Sequence, residues 1–393
     1  MHRRWLILTV LTLARATMGF QFQGIAALGS SLTSEVAISY TALGTLMGIY
    51  LLPGALIAIP GGWLGNKFGD KRIVLTGLAM MIIGGALLAL SNIYEVMVFG
   101  RLVSGTGAVL LNVLMTKMVT DWFSGHRIEL AMGILISSWP FGIGIALLTM
   151  APLAEAYGLT WAFSAPVILC SLSILLIAAI VTHPDTSVDP NANLKSKVAP
   201  GLSQFELWGS ILSGCVWCFY NIAFILPLSF GAEILTARGV KLSVVGAIVS
   251  LTSWLIIPTL PLGGWLAERT GRPISIMTIS FLSIAVIIWI IPVTTHYVFM
   301  FALLGLIFGL PGGLIMSLPA QVLRAENRAV GMGVFFTVYY IGMGISSGIA
   351  GYLRDASGDP AAPFWLAGLI IIMALLSLIG FRILLLNHPK IPL

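Results

Sequence analysis

The chain has 393 residues, of which 58% are hydrophobic and only 9% charged, with a formal net charge of +6. A soluble globular domain carries about 25% charged residues, so a water-soluble enzyme or binding module is excluded. The surplus cations sit in short segments between apolar runs, which excludes nucleic acid as the partner and leaves membrane lipid.

Twelve apolar runs follow one another, at 5–28, 40–62, 72–92, 95–118, 129–151, 160–182, 206–230, 243–264, 273–292, 296–319, 329–351 and 363–386. Each is long enough to cross a hydrocarbon core of about 30 Å, so the pattern predicts a multi-pass, all-α membrane protein with twelve transmembrane helices. The first run follows the basic start "MHRR" and extends to Leu28. A signal-peptide core is shorter, roughly 7–15 residues, so this run is read as a retained first span. Arg15 lies ten residues into it. At about 1.5 Å per residue that is roughly 15 Å deep, where a charge costs about 2.5–3.5 kcal/mol or more. Two readings stand: a structural guanidinium bonded to helix carbonyls, or the group that binds an anionic substrate. Gly19, Phe22 and Ala26 share its helical stripe, with Gln23 at the edge.

The second run ends in "PGGWLGNKFGDKR", starting at Pro60. In the fourth, Arg101 shares a face with Gly105, Ala108 and Asn112, which suits either a cavity wall or a structural role. Lys117, near the other end of that run, is expected to snorkel to the interface or to pair with Asp121. The fifth contains "AMGILISSWPFGIGI" from Ala131, with Pro140 as a bend point. After the sixth, "THPDTSVDPNANLKSKVAPGLSQ" reads as a flexible linker. It divides the chain into an N-terminal six-helix bundle (1–182), a cytoplasmic linker (183–205) and a C-terminal six-helix bundle (206–393).

In the seventh run Trp217, Tyr220, Asn221 and Phe224 fall on one face, either as packing or as a pocket wall. The neighbouring "CVWC" has metal-site spacing but no nearby His or carboxylate to complete a ligand set. Its cysteines, with Cys170, are read as packing residues, and no metal or cofactor is expected. The eighth run ends in "PLGGWLAERTGRP" from Pro261, the tenth contains Pro311-Gly312-Gly313, and the eleventh contains "GMGVFFTVYYIGMGI" from Gly331.

With the N-terminus inside, fourteen of the twenty Lys and Arg fall in cytoplasmic segments: Arg3, Arg4, Lys67, Lys71, Arg72, Arg127, Lys195, Lys197, Arg269, Arg272, Arg324, Arg328, Arg382 and Lys390. That bias predicts cytoplasmic N- and C-termini. All fourteen acids lie in loops or within about a turn of a span end, so the membrane midplane offers no titratable proton carrier.

The halves repeat each other. Gly62-Trp63-Leu64 and Gly69 recur 202 residues later as Gly264-Trp265-Leu266 and Gly271. Independently, Gly142 and Gly144 recur 200 residues later as Gly342 and Gly344. Two matches in register point to a duplicated six-helix unit of the kind that builds transporters around a midplane site.

The six-linker-six layout and the repeated junction resemble the major facilitator superfamily over the whole chain. That family's cytoplasmic motif is matched by Gly62, Asn66, Lys67, Gly69 and Lys71, with Asn66 where the family has Asp, and again by Gly264, Glu268, Arg269, Gly271 and Arg272. Its helix-4 motif is matched by Arg101, Gly105 and Gly107. The resemblance implies two pseudo-symmetric six-helix bundles with helices 1, 4, 7 and 10 lining a central cavity. It also implies that Gly62, Asn66, Gly69, Lys71, Glu268, Arg269, Gly271 and Arg272 latch the cytoplasmic side. A looser similarity to cyanate, nitrate and organic-anion porters rests on the two Gly-x-Gly pairs. The arginines that nitrate porters place in helices 2 and 8 have no counterpart here.

The expectation is therefore a monomeric inner-membrane transporter of a bacterium, not an enzyme, moving a small organic or inorganic anion by alternating access. Arg15, Gln23, Arg101, Asn112, Trp217, Tyr220 and Asn221 are its candidate substrate residues. Uniport, anion exchange and symport with a proton carried on the substrate all fit. The alternative is a drug/proton antiporter, although Trp139, not Gly, precedes Pro140 where the antiporter motif has Gly-Pro.

Overall fold

The structure is a computed structural model that describes residues 2–123, 127–181 and 201–387. Its helices are α1 (His2–Ala27), α2 (Gly29–Glu35), α3 (Tyr40–Gly48), α4 (Gly54–Phe68), α5 (Asp70–Leu90), α6 (Tyr94–Phe123) and α7 (Ile128–Tyr157). They continue with α8 (Leu159–Ile180), α9 (Gln204–Ala237), α10 (Leu242–Thr270), α11 (Pro273–Ile290), α12 (Tyr297–Met316), α13 (Arg328–Ser357) and α14 (Ala362–Asn387). Eleven of these are long and apolar enough to cross a membrane. The twelfth crossing is interrupted: α3 and α4 are joined through residues 49–53. Pro53 lacks the N–H that the Ile49 carbonyl would accept, so the helical ladder stops there.

Large apolar side chains such as Leu56, Leu90, Leu175 and Leu386 stand exposed on the outside. Water would penalise that surface, whereas lipid does not. Most of the expected linker, residues 183–200 with Lys195 and Lys197, lies outside the described residues. The described chain resumes at a capping box: Ser203 Oγ accepts from the Glu206 N–H (3.2 Å), and Glu206 accepts from the Ser203 N–H (3.0 Å). Glu206 also holds Arg324 and Asn327, pinning the loop between α12 and α13 to the start of α9. That carboxylate raises the Arg324 guanidinium above its ordinary pKa.

The two repeats seen in the sequence have separate physical causes. Gly69 (φ +91°) joins α4 to α5 and Gly271 (φ +64°) joins α10 to α11, each in a positive-φ conformation that a side chain would strain. The Gly-x-Gly pairs divide two contacts between them. A Cβ at Gly142 would strike the Ala16 carbonyl of α1, and one at Gly342 would strike Cys218 Sγ of α9, so each first glycine packs within its own bundle. Gly144 meets Trp254 of α10 and Gly344 meets Leu52 of the α3–α4 break, so each second glycine packs against the other bundle.

The bundles meet closely at the end opposite the chain termini, hereafter the far end. There a Cβ at Gly44 would strike the Ser347 carbonyl, and one at Gly246 the Leu147 carbonyl. Asp355 of α13 accepts from the Tyr40 N–H (3.1 Å), the Thr41 N–H (2.8 Å) and the Thr41 hydroxyl (2.6 Å), capping α3 from the other bundle. Arg354 pairs with Glu233 and lies over the Tyr40 ring (4.6 Å).

Candidate functional site: a cavity between the bundles

A cavity of about 1000 Å³ lies between the bundles. Its walls are Thr12–Met18 of α1, Asn112 and Thr116 of α6, the 130–141 stretch of α7, Trp217–Phe224 of α9, Ile256–Pro261 of α10, Gly312–Met316 of α12 and Phe336–Tyr340 of α13. All of these come from the middle or the terminus-side half of their helices. The far end is closed, so the cavity opens toward the terminus end.

Arg15 is half-buried in this wall. Its Nε donates to Asn112 Oδ1 (3.0 Å), and Nη1 donates to the Leu135 carbonyl (2.9 Å), the Ile136 carbonyl (3.3 Å) and Ser138 Oγ (3.0 Å). The source of the Ile136 acceptor is legible in the chain. Pro140, four residues on, has no N–H to give it, so that carbonyl is free to face the cavity. Arg15 is thus bonded to helix carbonyls, and it also lines the cavity. All its partners among the described residues are neutral, and no Asp, Glu, His, Lys or second Arg is among the described residues that line the cavity. Its charge is held in place without being neutralised.

Asn112 continues the network by donating from Nδ2 to the Tyr340 hydroxyl (3.4 Å), which links the N-terminal bundle to the C-terminal one. The α9 face also lies on the cavity. Tyr220 donates its hydroxyl to the Phe308 carbonyl (2.5 Å), and Asn221 donates to the Trp217 carbonyl (2.7 Å). Trp217 stacks on Tyr220, with ring centroids 5.6 Å apart at 27°.

Two candidates are elsewhere, which corrects the expectation that they face the cavity. Gln23 is wholly buried and donates to the Leu228 carbonyl (3.2 Å). Arg101 is 1% exposed, with Nε on the Leu46 carbonyl (2.8 Å), Nη1 on the Gln21 carbonyl (2.9 Å) and Nη2 on the Phe22 carbonyl (3.2 Å). It also lies over the Tyr50 ring (4.2 Å). The cause is the broken second span: α3 ends at Gly48, so Leu46 is among its last carbonyls, which lack an intrahelical donor. Lipid supplies none, and a cation at a helix C-terminus also suits the helix dipole. Lys117 pairs with Asp70 (2.9 Å), a partner the sequence reading did not name.

At the terminus end the described junction residues make no hydrogen bond or ion pair across the bundles. Lys67 lies over Trp63 (4.8 Å) and Arg269 over Trp265 (5.2 Å), each on its own helix, and Lys71 donates to the Ala178 carbonyl (2.8 Å). Nothing would approach a Cβ at Gly62 within 4 Å, and the Asn66 side chain lies outside the described part of the structure. Tyr339, Tyr340, Phe336 and Ser138 line the cavity without having been singled out in the sequence. The signal was present in "FFTVYY", whose aromatic pairs recur at helical spacing, but the glycines around it drew the reading.

The family model described as Major Facilitator Superfamily matches residues 11–345 and 212–392. The chain is 24% identical over 366 residues to the uncharacterized transporter YycB of Bacillus subtilis, covering 89% of this chain and 86% of that one. It is 23% identical over 227 residues to the quinolone resistance protein NorB of Staphylococcus aureus, covering 57% of this chain and 43% of NorB. Among solved structures, a D-xylose-proton symporter matches with a TM-score of 0.75 at 17% identity, over 96% of this chain and 97% of the other.

Proposed function

The chain belongs to the major facilitator superfamily, and on that premise we propose that this transporter moves a small anion by alternating access, with Arg15 as the anion-binding group. The observation that carries the reading is a single guanidinium on a large cavity with no acid among its described lining residues. A charge inside the membrane is costly. An anionic substrate lowers that cost by supplying the missing counter-charge, so binding is favourable at this point.

The neighbours then have defined tasks. Leu135, Ile136, Ser138 and Asn112 fix the guanidinium's position and leave Nη2 without a hydrogen bond among the described residues. Trp217, Tyr220 and Asn221 form the facing wall in the other bundle. An anion held between the two walls draws the bundles together at the terminus end, where the two glycine junctions would meet as a latch. The far-end contacts of Asp355 with Tyr40 and Thr41 would then release. With the termini in the cytoplasm of a bacterium, the present conformer faces inward and works as a monomer. Among the described residues the cavity's ionisable side chains are Arg15 and tyrosines, so a transported proton would travel on the substrate.

A second reading, export of hydrophobic compounds, is favoured by the largely apolar lining and by the similarity to a protein named for quinolone resistance. Flux of labelled anions and of lipophilic cations into proteoliposomes separates the two. Anion flux that competes with other anions is expected; flux of cations alone would replace this reading with the second.

A further inference from the structure

We infer that the substrate is a monovalent organic acid with a flat apolar ring, rather than an inorganic anion or a dianion; this rests on the anion reading above. Three features of the cavity point the same way.

The first is charge. Arg15 is the sole fixed cation among the described lining residues, and its Nε and Nη1 are already engaged. One carboxylate balances it. A second negative charge would be stripped of water against apolar walls with nothing to pair it, a cost that one cation cannot return. The second is size. A cavity of about 1000 Å³ is at the upper end of sites for drug-sized ligands, and a three- or four-atom ion leaves almost all of it unfilled.

The third is shape. Trp217 is the centre of a cluster of rings in the C-terminal bundle, lying 27° from both Tyr220 and Phe335 at centroid distances of 5.6 and 6.5 Å, with Tyr339 at 6.3 Å. Trp217 is half-buried and lines the cavity together with Tyr220 and Tyr339, so part of this aromatic cluster is open to a ligand ring. Offset stacking of a ligand ring on it adds binding beyond area alone. Arg15 in one bundle and Trp217 in the other then grip opposite ends of the same molecule. That is the arrangement in which a bound substrate, and not either half of it, bridges the bundles.

The test uses the full-length protein in lipid nanodiscs and reads the shift in unfolding temperature on ligand addition, since a ligand of the folded state raises apparent stability. The probes are benzoate, 2-naphthoate, benzamide, phthalate, nitrate and tetraphenylphosphonium. Benzoate or 2-naphthoate is expected to stabilise the protein. Benzamide, which lacks the charge, and phthalate, which carries two, are expected to bind about tenfold more weakly or worse, a step of about 1.4 kcal/mol. Trp217→Ala should weaken the ring acids while Trp217→Phe restores them, which separates stacking from loss of folding. Nitrate or phthalate binding more tightly than both ring acids in an Arg15-dependent way would overturn this inference and leave the anion reading standing. If neither ring acid binds, the inference falls. If only tetraphenylphosphonium binds, the anion reading falls with it.

Discussion

Arg15 and Arg101 are the same side chain placed at different depths in apolar helices, and the structure gives them different surroundings. Arg101 is sealed, with Nε and both terminal nitrogens committed to carbonyls of α1 and α3. Arg101→Ala would leave the Leu46 carbonyl at the end of α3 without a donor, at about 1–3 kcal/mol. The expected outcome is a marked fall in unfolding temperature with ligand affinity unchanged in whatever fraction folds. Arg15 sits instead on the cavity, and its carbonyl partners do not cancel its charge. The chain's charge count made both residues conspicuous, but only the backbone break beside Tyr50 decides between them. That break depends on where α3 ends, which periodicity does not specify.

Helix α7 owes its role to one residue. Pro140 leaves the Ile136 carbonyl without its intrahelical donor, and Arg15 takes it. Pro140→Ala would return an N–H to that carbonyl and offer the guanidinium a competitor. The variant is expected to be more stable, because an interior proline costs about 3 kcal/mol in a helix, and to transport about tenfold more slowly as the anion site loses its fixed geometry. Thermal unfolding and initial flux measured on the same preparation check both signs. At the far end, Asp355 serves α3 in the same way from the other bundle. Asp355→Ala removes the cap and its charge, at about 1 kcal/mol. It should shift the population toward the conformer open at the far end, read as faster labelling of a cysteine placed at Thr41. The proline was visible as a possible bend in the sequence. What it frees, and for whom, required a neighbouring helix from elsewhere in the chain.

For the whole molecule, most of the architecture was legible because lipid enforces it: twelve crossings, two halves and the repeated glycines follow from hydropathy and register. The pairing of the glycines was not legible, since a Gly-x-Gly pair does not announce that its first member faces its own bundle and its second the other. Nor was the conformer. The cavity opens at the terminus end, with Lys67 and Arg269 lying on their own tryptophans, so the two glycine junctions are not joined here. Their proposed latch belongs to the opposite conformer, and Glu268, the copy that keeps its acid, should carry more of it than Asn66. Glu268→Gln is therefore expected to slow transport and favour the state open at the terminus end more than Asn66→Ala does. Equal rates for Glu268→Gln and the unaltered protein would refute that ordering.

The account stands on the uncompensated charge of Arg15. Its most direct test is anion flux in proteoliposomes for the unaltered protein, Arg15→Lys and Arg15→Gln, with the folded fraction of each measured alongside. Loss of flux in Arg15→Gln, partial retention in Arg15→Lys and equal folded fractions are predicted. Undiminished flux in Arg15→Gln would contradict the account.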